Sequence, residues 1–374
     1  MPSSRLRRTT SPVVALLSIA ALSACGDSSS GTSSATSAIN IDATDTTCKL
    51  DKTRFAAGTV PFAVKNSGSK VTEVYIFAGK RIVAEKENIG PGTSYKLTAS
   101  LKAGSYQVAC KPGMTGDGIR TTIKVTGTGG TSVNPDAKRA VANYRAYVQS
   151  QVNASLPVVD AFVAAVKASD VEKAKSLFAK SRLGWESIEP VAESFGDLDP
   201  RVDLREADLE NGQNWTGWHR IEKELWVKNS TKGMGPIATQ LAMDVRELQS
   251  KVPTAVMTVA SIGNGAKELL DEVATGKVSG EEDIFSHTDL SDFQGNVDGA
   301  KKAYEVLKPL IVDEALVTQL DTEFANVQAA LDKHQQGGSF VSYDTVDADG
   351  RRELSRVVDA LSEPLSKLTA AATE

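Results

Sequence analysis

The sequence predicts a multidomain protein in which an N-terminal all-β sandwich is followed by a C-terminal all-α helix bundle. The N-terminal part contains short alternating or β-branched runs, such as residues 71–77, separated by turn sequences such as residues 90–92. That alternation is typical of an antiparallel sandwich. Later segments are rich in Ala, Leu, Glu and Lys with helical spacing, as in residues 310–331. We therefore expect a sandwich over 46–127, a linker over 128–135 and a helix bundle over 136–374.

Three sequences mark expected helix starts. Asn134 followed by Pro135 is typical of an N-cap and a first helical position. Residues 169–172 and 279–282 each place a serine three residues before a glutamate, which is the spacing of a capping box. The second capping box would put Glu282 in the first turn of a helix.

The N-terminus indicates export. Three arginines precede an apolar stretch over residues 12–22, which is shorter than the roughly 20 residues that span a bilayer. We expect a secretory signal peptide over 1–24. Small residues before Cys25 match a bacterial lipobox, so Cys25 is the expected lipidation site, followed by a Ser/Gly/Thr-rich tether over 25–45. An ordinary signal peptide with a chance cysteine is the alternative. The predicted location is the extracytoplasmic face of the bacterial cell membrane, lipid-anchored.

The charge balance weighs against nucleic acid as a partner. The full chain carries a formal net charge of −5, and removal of the arginine-containing signal peptide makes the remainder more acidic. An acidic exported protein binds nucleic acid poorly. An excess of carboxylates suits hard cations, although it also serves solubility.

Two cysteines remain once Cys25 is lipidated, and they allow two interpretations. Cys48 and Cys110 would most simply form a disulfide in an oxidising compartment, closing a long loop in a small domain. Alternatively they are thiolate ligands for a soft metal such as copper. The sequence leaves both open.

His219 and Glu222 carry the most informative spacing in the chain. Three residues apart on a helix, an imidazole and a carboxylate share one face, and this is a way to begin a metal site. A lone helical histidine is more often packed or solvated. The pair therefore needs further ligands from elsewhere in the chain.

Several blocks of the helical half resemble the imelysin-like peptidase family. They occur in the family's order, which makes the resemblance specific, and the third of them contains His219 and Glu222. The blocks are residues 185–190, 195–199, 216–222, 279–290 and 293–299.

The β half resembles the cupredoxin-like domain that precedes the imelysin-like domain in EfeO-type iron-uptake lipoproteins. The resemblance rests on Cys48, residues 72–75, residues 85–92 and Cys110. It implies an extracytoplasmic component that acts with a membrane permease for ferrous iron and with a haem-dependent peroxidase.

The resemblance implies that His219 and Glu222 bind metal. Glu189 is the next candidate ligand, because Glu186, Glu189 and Glu193 would share a helical face; a solvated face is the alternative. Glu282 is a further candidate, against the alternative that it serves only as favourable charge at a helix N-terminus. His287 and Asp289 are as well explained by structural hydrogen bonds. One imidazole with several carboxylates suits iron and also accepts zinc, so iron is favoured by family context alone.

The β domain lacks histidine, which excludes the two-histidine site of a blue-copper electron carrier. A modified site built from Glu73, Cys48, Cys110 and Glu85, with Asp117 as a further candidate, is what the resemblance implies for copper or iron. The competing interpretation is a disulfide surrounded by exposed carboxylates.

Two other functions need consideration. A zincin places two histidines four residues apart with a glutamate as general base, whereas this motif offers one histidine, so we expect no peptidase activity. Trp185, Trp215, Trp218 and Trp226 lie near the motif and suggest a polysaccharide-facing groove, although aromatics at helical spacing usually pack in a core. We therefore expect an iron-binding lipoprotein that delivers metal to a permease, with a metallopeptidase-like enzyme or a polysaccharide-binding lipoprotein as alternatives.

Overall fold

The computed structural model describes residues 38–79, 81–127, 134–209 and 212–373. The predicted signal peptide, the lipidation site Cys25 and the first part of the tether lie outside the described residues. Within the described part, a β-sandwich and a helical region pack directly against each other in one compact unit. This confirms the predicted fold class.

The sandwich consists of two mixed sheets. One has the strand order β2-β1-β4-β7 and the other β3-β9-β8-β5-β6, with parallel pairing between β1 and β4 and between β3 and β9. The strands are β1 (Ile39–Ala43), β2 (Cys48–Leu50), β3 (Arg54–Ala56), β4 (Gly58–Asn66), β5 (Thr72–Ala78), β6 (Arg81–Ile89), β7 (Ser94–Leu101), β8 (Gly104–Pro112) and β9 (Ile119–Thr126).

Strand β1 lies inside the segment that the sequence predicts as tether. Ile39, Ile41 and Ala43 alternate with exposed residues and point into the sandwich core. That alternation lasts only five residues beside a Ser/Thr-rich stretch, so the composition of this segment favours a tether more strongly than the alternation favours a strand. Residues 39–43 therefore belong to the sandwich, and the predicted end of the tether at residue 45 is wrong.

Cys48 and Cys110 form a disulfide, with Cα atoms 5.5 Å apart, a normal separation for such a bond. Cys48 begins β2 in one sheet and Cys110 lies on β8 in the other, so the bond joins the two layers of the sandwich. The prediction of Cys48 and Cys110 as thiolate metal ligands is therefore wrong for this structure.

The described helical region contains α-helices of 4 to 33 residues, joined by turns, 3-10 segments and loops. They are α1 (Pro135–Lys167), α2 (Val171–Glu186), α3 (Asp199–Val202), α4 (Gly217–Val227), α5 (Gly235–Lys251), α6 (Val259–Thr275), α7 (Asp289–Leu307), α8 (Glu314–Asp332), α9 (Ala348–Leu365) and α10 (Leu368–Thr373). A hairpin of β10 (Gln335–Gln336) and β11 (Ser339–Phe340) lies between α8 and α9. None of the described helices is both long enough and apolar enough to cross a membrane.

One of the three expected helix starts is correct and two need correction. Asn134 caps α1 through the backbone N–H of Asp136, with Pro135 at the first helical position. Helix α2 is capped by Asp170, one residue later than expected. The capping box at 279–282 is wrong, because Gly280 takes a left-handed conformation after a short 3-10 turn and the next α-helix begins at Asp289. Glu282 therefore lies in a loop.

Helix α6 is the main support of the sandwich. Buried Lys86 on β6 donates to Glu268 and Asp271 of α6 at 2.7 and 3.0 Å. Asn264, also on α6, donates to the carbonyl oxygen of Thr98 on β7 at 2.7 Å. These bonds hold β6 and β7 against the bundle, and β6 also carries Glu85.

Candidate metal centre

Helix α4 positions His219. Gly217 begins the helix with a φ of +81°, and a Cβ atom at this position would clash with the carbonyl oxygen of Val202. Only glycine allows so close an approach. The start of α4 consequently packs against the end of α3, which places His219 beside Asp203.

His219 is buried, with 2% of its surface exposed, and both ring nitrogens face carboxylates. Its Nδ1 lies 3.0 Å from Oε2 of Glu222 and 3.8 Å from Oδ1 of Asp283. Its Nε2 lies 3.4 Å from Oδ1 of Asp203 and 3.5 Å from Oε1 of Glu282. Nε2 makes no well-formed hydrogen bond. This nitrogen and the two facing oxygens have the spacing of a metal site.

The two carboxylate oxygens of Glu222 contact different parts of the centre. One carboxylate oxygen faces His219 Nδ1, and the other accepts the backbone N–H groups of Phe285 and Ser286 at 3.1 and 2.8 Å. The second pair of bonds holds the loop that carries Glu282 and Asp283 against α4. A carboxylate that bonds one imidazole nitrogen fixes the ring and leaves the other nitrogen for a metal.

Asp203 is a central residue that the sequence did not reveal. It follows α3, and its two oxygens accept hydrogen bonds from Arg182 and from the indole of Trp185. No spacing relates it to His219, because it lies 16 positions earlier in an irregular segment. The turn at Gly217 is the only local sign of the close approach.

Arg182 places a buried positive charge next to the carboxylates around His219. It is fully buried on α2, and its guanidinium bonds Glu186 at 2.6 Å and Asp292 at 2.8 Å in addition to Asp203. Glu282 lies 3.4 Å from the same group. Arg182 therefore holds carboxylates from α2, α7 and two loops together.

Buried carboxylates outnumber the buried cations around His219. The described acids are Glu186, Asp203, Glu222, Glu282, Asp283, Asp289 and Asp292, whereas the fixed cations are Arg182 and Lys277. Oxygens of Asp283, Asp289 and Asp292 lack any hydrogen-bond partner. Burial raises the pKa of Asp283 to about 8 and raises that of Asp292. An added hard cation would neutralise this excess and occupy the unpartnered oxygens.

The pKa of His219 and the pKa values of the two carboxyl groups that face its Nε2 shift in opposite directions. Burial and Arg182 lower the pKa of His219, but the nearby carboxylates of Asp203, Glu222 and Glu282 raise it well above its ordinary value. Burial raises the pKa of Glu282, yet Lys277 and His219 outweigh it and lower the pKa to about 2. The pKa of Asp203 is likewise lowered overall, by Arg182 and His219 against burial. Metal binding at Nε2 would therefore displace a proton held between two carboxylates.

Glu189 lies outside this centre. Helix α2 ends at Glu186 and residues Glu189–Phe195 form a 3-10 segment, so the predicted common face of Glu186, Glu189 and Glu193 is wrong. Glu186 points into the bundle interior. Pro190 explains the break, since a proline ends a helix before it.

Glu189 and Glu193 line a cleft between the bundle and the sandwich. The cleft has a volume of about 440 Å³ and also contains Glu85 and Asp117 from the sandwich, with Lys111 and Arg120. Burial raises the pKa of Glu85, Glu189 and Glu193. The acidic residues that line it are Glu85, Glu87, Asp117, Glu189, Glu193, Asp199, Glu268 and Glu272.

Comparison with known proteins agrees with this architecture. Residues 140–368 match the imelysin family and residues 12–125 match a cupredoxin-like domain. The chain is 37% identical over 339 residues, 88% of its own length and 90% of theirs, to the iron uptake system component EfeO of Escherichia coli K12, E. coli O157:H7 and Shigella sonnei. The chain belongs to the imelysin family, in its EfeO-type form. The predicted resemblance is thereby confirmed.

The cupredoxin-like domain of this EfeO-type chain brings two of its four predicted site residues near the cleft. Glu85 lines the cleft, whereas Glu73 is buried behind it and accepts a hydrogen bond from Tyr75 at 3.1 Å, with Lys111 at 3.6 Å. Among the residues that the structure describes, Glu73 and Glu85 are not part of any group with metal-ligand spacing. The disulfide removes the two sulfur ligands.

The remaining motif residues of the imelysin family region serve structural contacts. His287 lies 3.3 Å from Asp344, and Asp289 accepts the backbone N–H of Asp283 at 3.2 Å. Trp185 and Trp218 are buried, so these two indoles do not line a surface groove. Trp215 and Trp226 are half-buried beneath the basic side chains of Lys223 and Lys175, respectively.

Proposed function

We propose that this protein is a lipid-anchored extracytoplasmic iron-binding component that captures iron and delivers it to a membrane permease. The observation that carries the proposal is the unpartnered Nε2 of His219, buried between carboxylate oxygens of Asp203 and Glu282 at 3.4 and 3.5 Å. A buried polar atom without a partner is costly unless a ligand completes it.

In this proposal each residue has a separate role. His219, Asp203 and Glu282 would contact the ion, while Glu222 orients the imidazole from the opposite side. Glu222 is thus supported as an orienting residue more than as the direct ligand that the motif suggested. Asp283 offers a further oxygen near Nδ1, in a second group with His219 and Glu222.

Iron is the proposed cargo because one imidazole among several carboxylates suits a hard cation. The relatives named as iron uptake components support the same choice. Zinc fits this donor set as well. Copper is disfavoured as cargo, since the disulfide engages the soft sulfur ligands.

Delivery to a membrane requires a location outside the cytoplasm and a partner. The lipobox at Cys25 and the signal sequence support anchoring at the membrane surface. A ferrous-iron permease and a haem-dependent peroxidase are the partners that family resemblance implies. Deleting residues 136–374 in a cell that expresses the permease should abolish the uptake that this protein supports. Uptake that persists would contradict the delivery role.

The proposed binding is tested by titrating the purified protein separately with ferric citrate, a ferrous salt, zinc and an anionic polysaccharide. His219→Ala should abolish the iron response, whereas His334→Ala, which removes a histidine after α8, should retain it. Equal iron binding by wild type and His219→Ala would overturn the proposal. A response to the polysaccharide alone would favour the polysaccharide-binding alternative.

We also propose that the chain is not a peptidase, despite the family's name. Each of the three groups with metal-ligand spacing in the described residues contains at most one histidine. His287 lies 3.3 Å from Asp344 and belongs to none of these groups. Incubation with a peptide library should give no cleavage; cleavage that disappears with a chelator and returns with zinc would contradict this.

A further inference from the structure

The proposed iron site is enclosed, so an ion needs a way in. His219, Asp203 and Glu282 are all buried, whereas the acidic cleft is open to solvent. One chain of contacts connects the two places, and it runs through Glu189, Lys277 and Glu186.

Glu189 stands at the boundary between the cleft and the bundle interior. It lines the cleft, and its side chain is 18% exposed. Its Oε2 accepts hydrogen bonds from Lys277 at 3.1 Å and from the amide of Asn296 at 2.7 Å. The same two donors reach Glu186 Oε2, each at 2.9 Å.

Glu186 continues the chain to the proposed iron site. It forms a group of metal-ligand spacing with Glu282 and Asp292, and Glu282 also belongs to the His219 group. Lys277 Nζ lies 4.0 Å from Glu282. The carboxylates of Glu189, Glu186 and Glu282 therefore form a series from the cleft to His219, and all three lie next to Lys277.

Two oxygens along this chain lack partners. Oδ1 of Asn296 and Oδ1 of Asp292 are buried without a hydrogen bond, and both residues have 0% of their surface exposed. The nitrogen of the same Asn296 amide donates to Glu186 and Glu189, so the unpartnered oxygen belongs to the group that bridges these two carboxylates. An oxygen left unpartnered at this point is available to a passing cation.

Lys277 occupies the middle of the chain. Its side chain is 3% exposed, and its ammonium group contacts Glu186, Glu189 and Glu282 together. Lysine carries its charge on a flexible stem with rotatable donors. It neutralises these carboxylates, and its displacement would leave their oxygens open to a cation.

We propose that the cleft is the entrance to the His219 site and that Glu189 and Lys277 form a gate, in which an incoming cation displaces the Lys277 ammonium from Glu189 and Glu186. This inference rests on the proposed function. The gate changes the rate of loading, and it leaves the ligands at His219 unchanged.

The test uses Tb³⁺ as a hard-cation probe with the purified, metal-free full-length chain. The indole of Trp185 donates to Asp203 at 2.7 Å, so an ion bound at the His219 site lies close to a sensitiser. Stopped-flow luminescence with tryptophan excitation then reports loading of the buried site, and release is followed after mixing with excess chelator.

The two gate variants should shift the rates in opposite directions. Glu189→Gln should slow both loading and release by about tenfold, which leaves the dissociation constant nearly unchanged, since a gate affects entry and exit alike. Lys277→Gln should accelerate loading by a similar factor of about ten, because no ammonium has to be displaced. Glu353→Gln, which removes a partly exposed carboxylate of α9 that accepts a hydrogen bond from Lys333 at 2.6 Å, is the matched control outside the cleft and should load at nearly the wild-type rate.

Different outcomes test the proposed gate and the proposed His219 site separately. Wild-type loading by Glu189→Gln, or rates that fall together in the Glu189 and Lys277 variants, would overturn the gate while binding at His219 stands. A signal that persists in His219→Ala would overturn the proposed function and the gate with it. If Lys277→Gln fails to fold, Lys277→Arg keeps the positive charge and should slow loading, because a guanidinium binds two carboxylates more firmly; loading at or above the wild-type rate would overturn the gate.

Discussion

The Nδ1 atom of His219 lies 3.0 Å from a carboxylate oxygen of Glu222, one helical turn further along α4. The other oxygen of Glu222 holds the loop that carries Glu282 through Phe285 and Ser286. A single side chain therefore orients the imidazole and positions the loop opposite it. This arrangement directs Nε2 toward Asp203 and Glu282.

Replacing Glu222 with glutamine should weaken iron binding by about 10- to 100-fold, because an orienting carboxylate contributes on that scale. A glutamine amide no longer selects the imidazole tautomer that carries its proton on Nδ1 and leaves Nε2 free to bind metal. Competition with a ferric chelator measures the affinity. Glu224→Gln is the matched control, since Glu224 is buried on the same helix but bonds Lys228 at 3.1 Å. An equal loss in both variants would contradict the orienting role.

Asp203→Asn should weaken iron binding at least about tenfold, because it removes a charged ligand facing His219 Nε2. The variant keeps an acceptor for the indole of Trp185, and Arg182 retains Glu186 and Asp292 as partners, so the fold should be retained. Isothermal titration with ferrous iron under anaerobic conditions measures the change. Asp208→Asn, which affects only an exposed ion pair with Arg205 at 2.7 Å, should bind as wild type. Unchanged affinity in Asp203→Asn would remove this residue from the site.

Removing the disulfide should destabilise the sandwich without affecting the iron site. The bond closes a loop with a sequence separation of 62, for which chain entropy predicts about 4 kcal/mol of stabilisation. The Cys48→Ala and Cys110→Ala double variant should therefore show a lower unfolding midpoint by calorimetry. Its iron affinity should stay within about twofold of wild type, because the ligands at His219 are untouched. Lost iron binding in a folded double variant would restore the thiolates as ligands.

The metal-free protein should lose stability as the pH rises through neutrality. Burial raises the pKa of Glu268 to about 7, above its ordinary value of 4.5. A carboxyl group that holds its proton more tightly when folded contributes fully below pH 4.5 and loses that contribution as the pH rises through 7. About 3 kcal/mol of unfolding free energy should disappear across this window, because the pKa changes by about 2.5 units and each unit corresponds to about 1.4 kcal/mol.

Thermal unfolding in the presence of a chelator, at several pH values across this window, measures the effect. Glu268→Gln removes the titrating group and should show a flatter dependence on pH. Cleft carboxyls with raised pKa values, such as Glu193, act in the same direction. A stability that rises over this range would show that burial in the cleft does not control the titration.

The sequence could predict what depends on neighbours in the chain. The sandwich follows from alternation, the bundle from helical spacing, and His219 with Glu222 from a separation of one turn. Glu282 was found only through family resemblance, and its expected helix does not exist because Gly280 ends the preceding turn in a left-handed conformation.

Other parts of the site depend on contacts between distant segments. Asp203, Arg182 and Asp292 come from three separate parts of the chain, and no spacing connects them to His219. The sequence wrongly predicts that Glu189 shares a helical face with Glu186, because helix α2 ends before Pro190. The choice between a disulfide and thiolate ligands required the separation of Cys48 and Cys110, which sequence does not provide.

The most direct test is the position of iron in crystals of the iron-loaded protein, mapped by anomalous scattering at the iron edge. We expect an iron peak about 2.1 Å from Nε2 of His219, the usual distance for a first-row cation, with oxygens of Asp203 and Glu282 completing the contacts. Iron peaks confined to other places, with Nε2 left uncoordinated in the loaded protein, would contradict it.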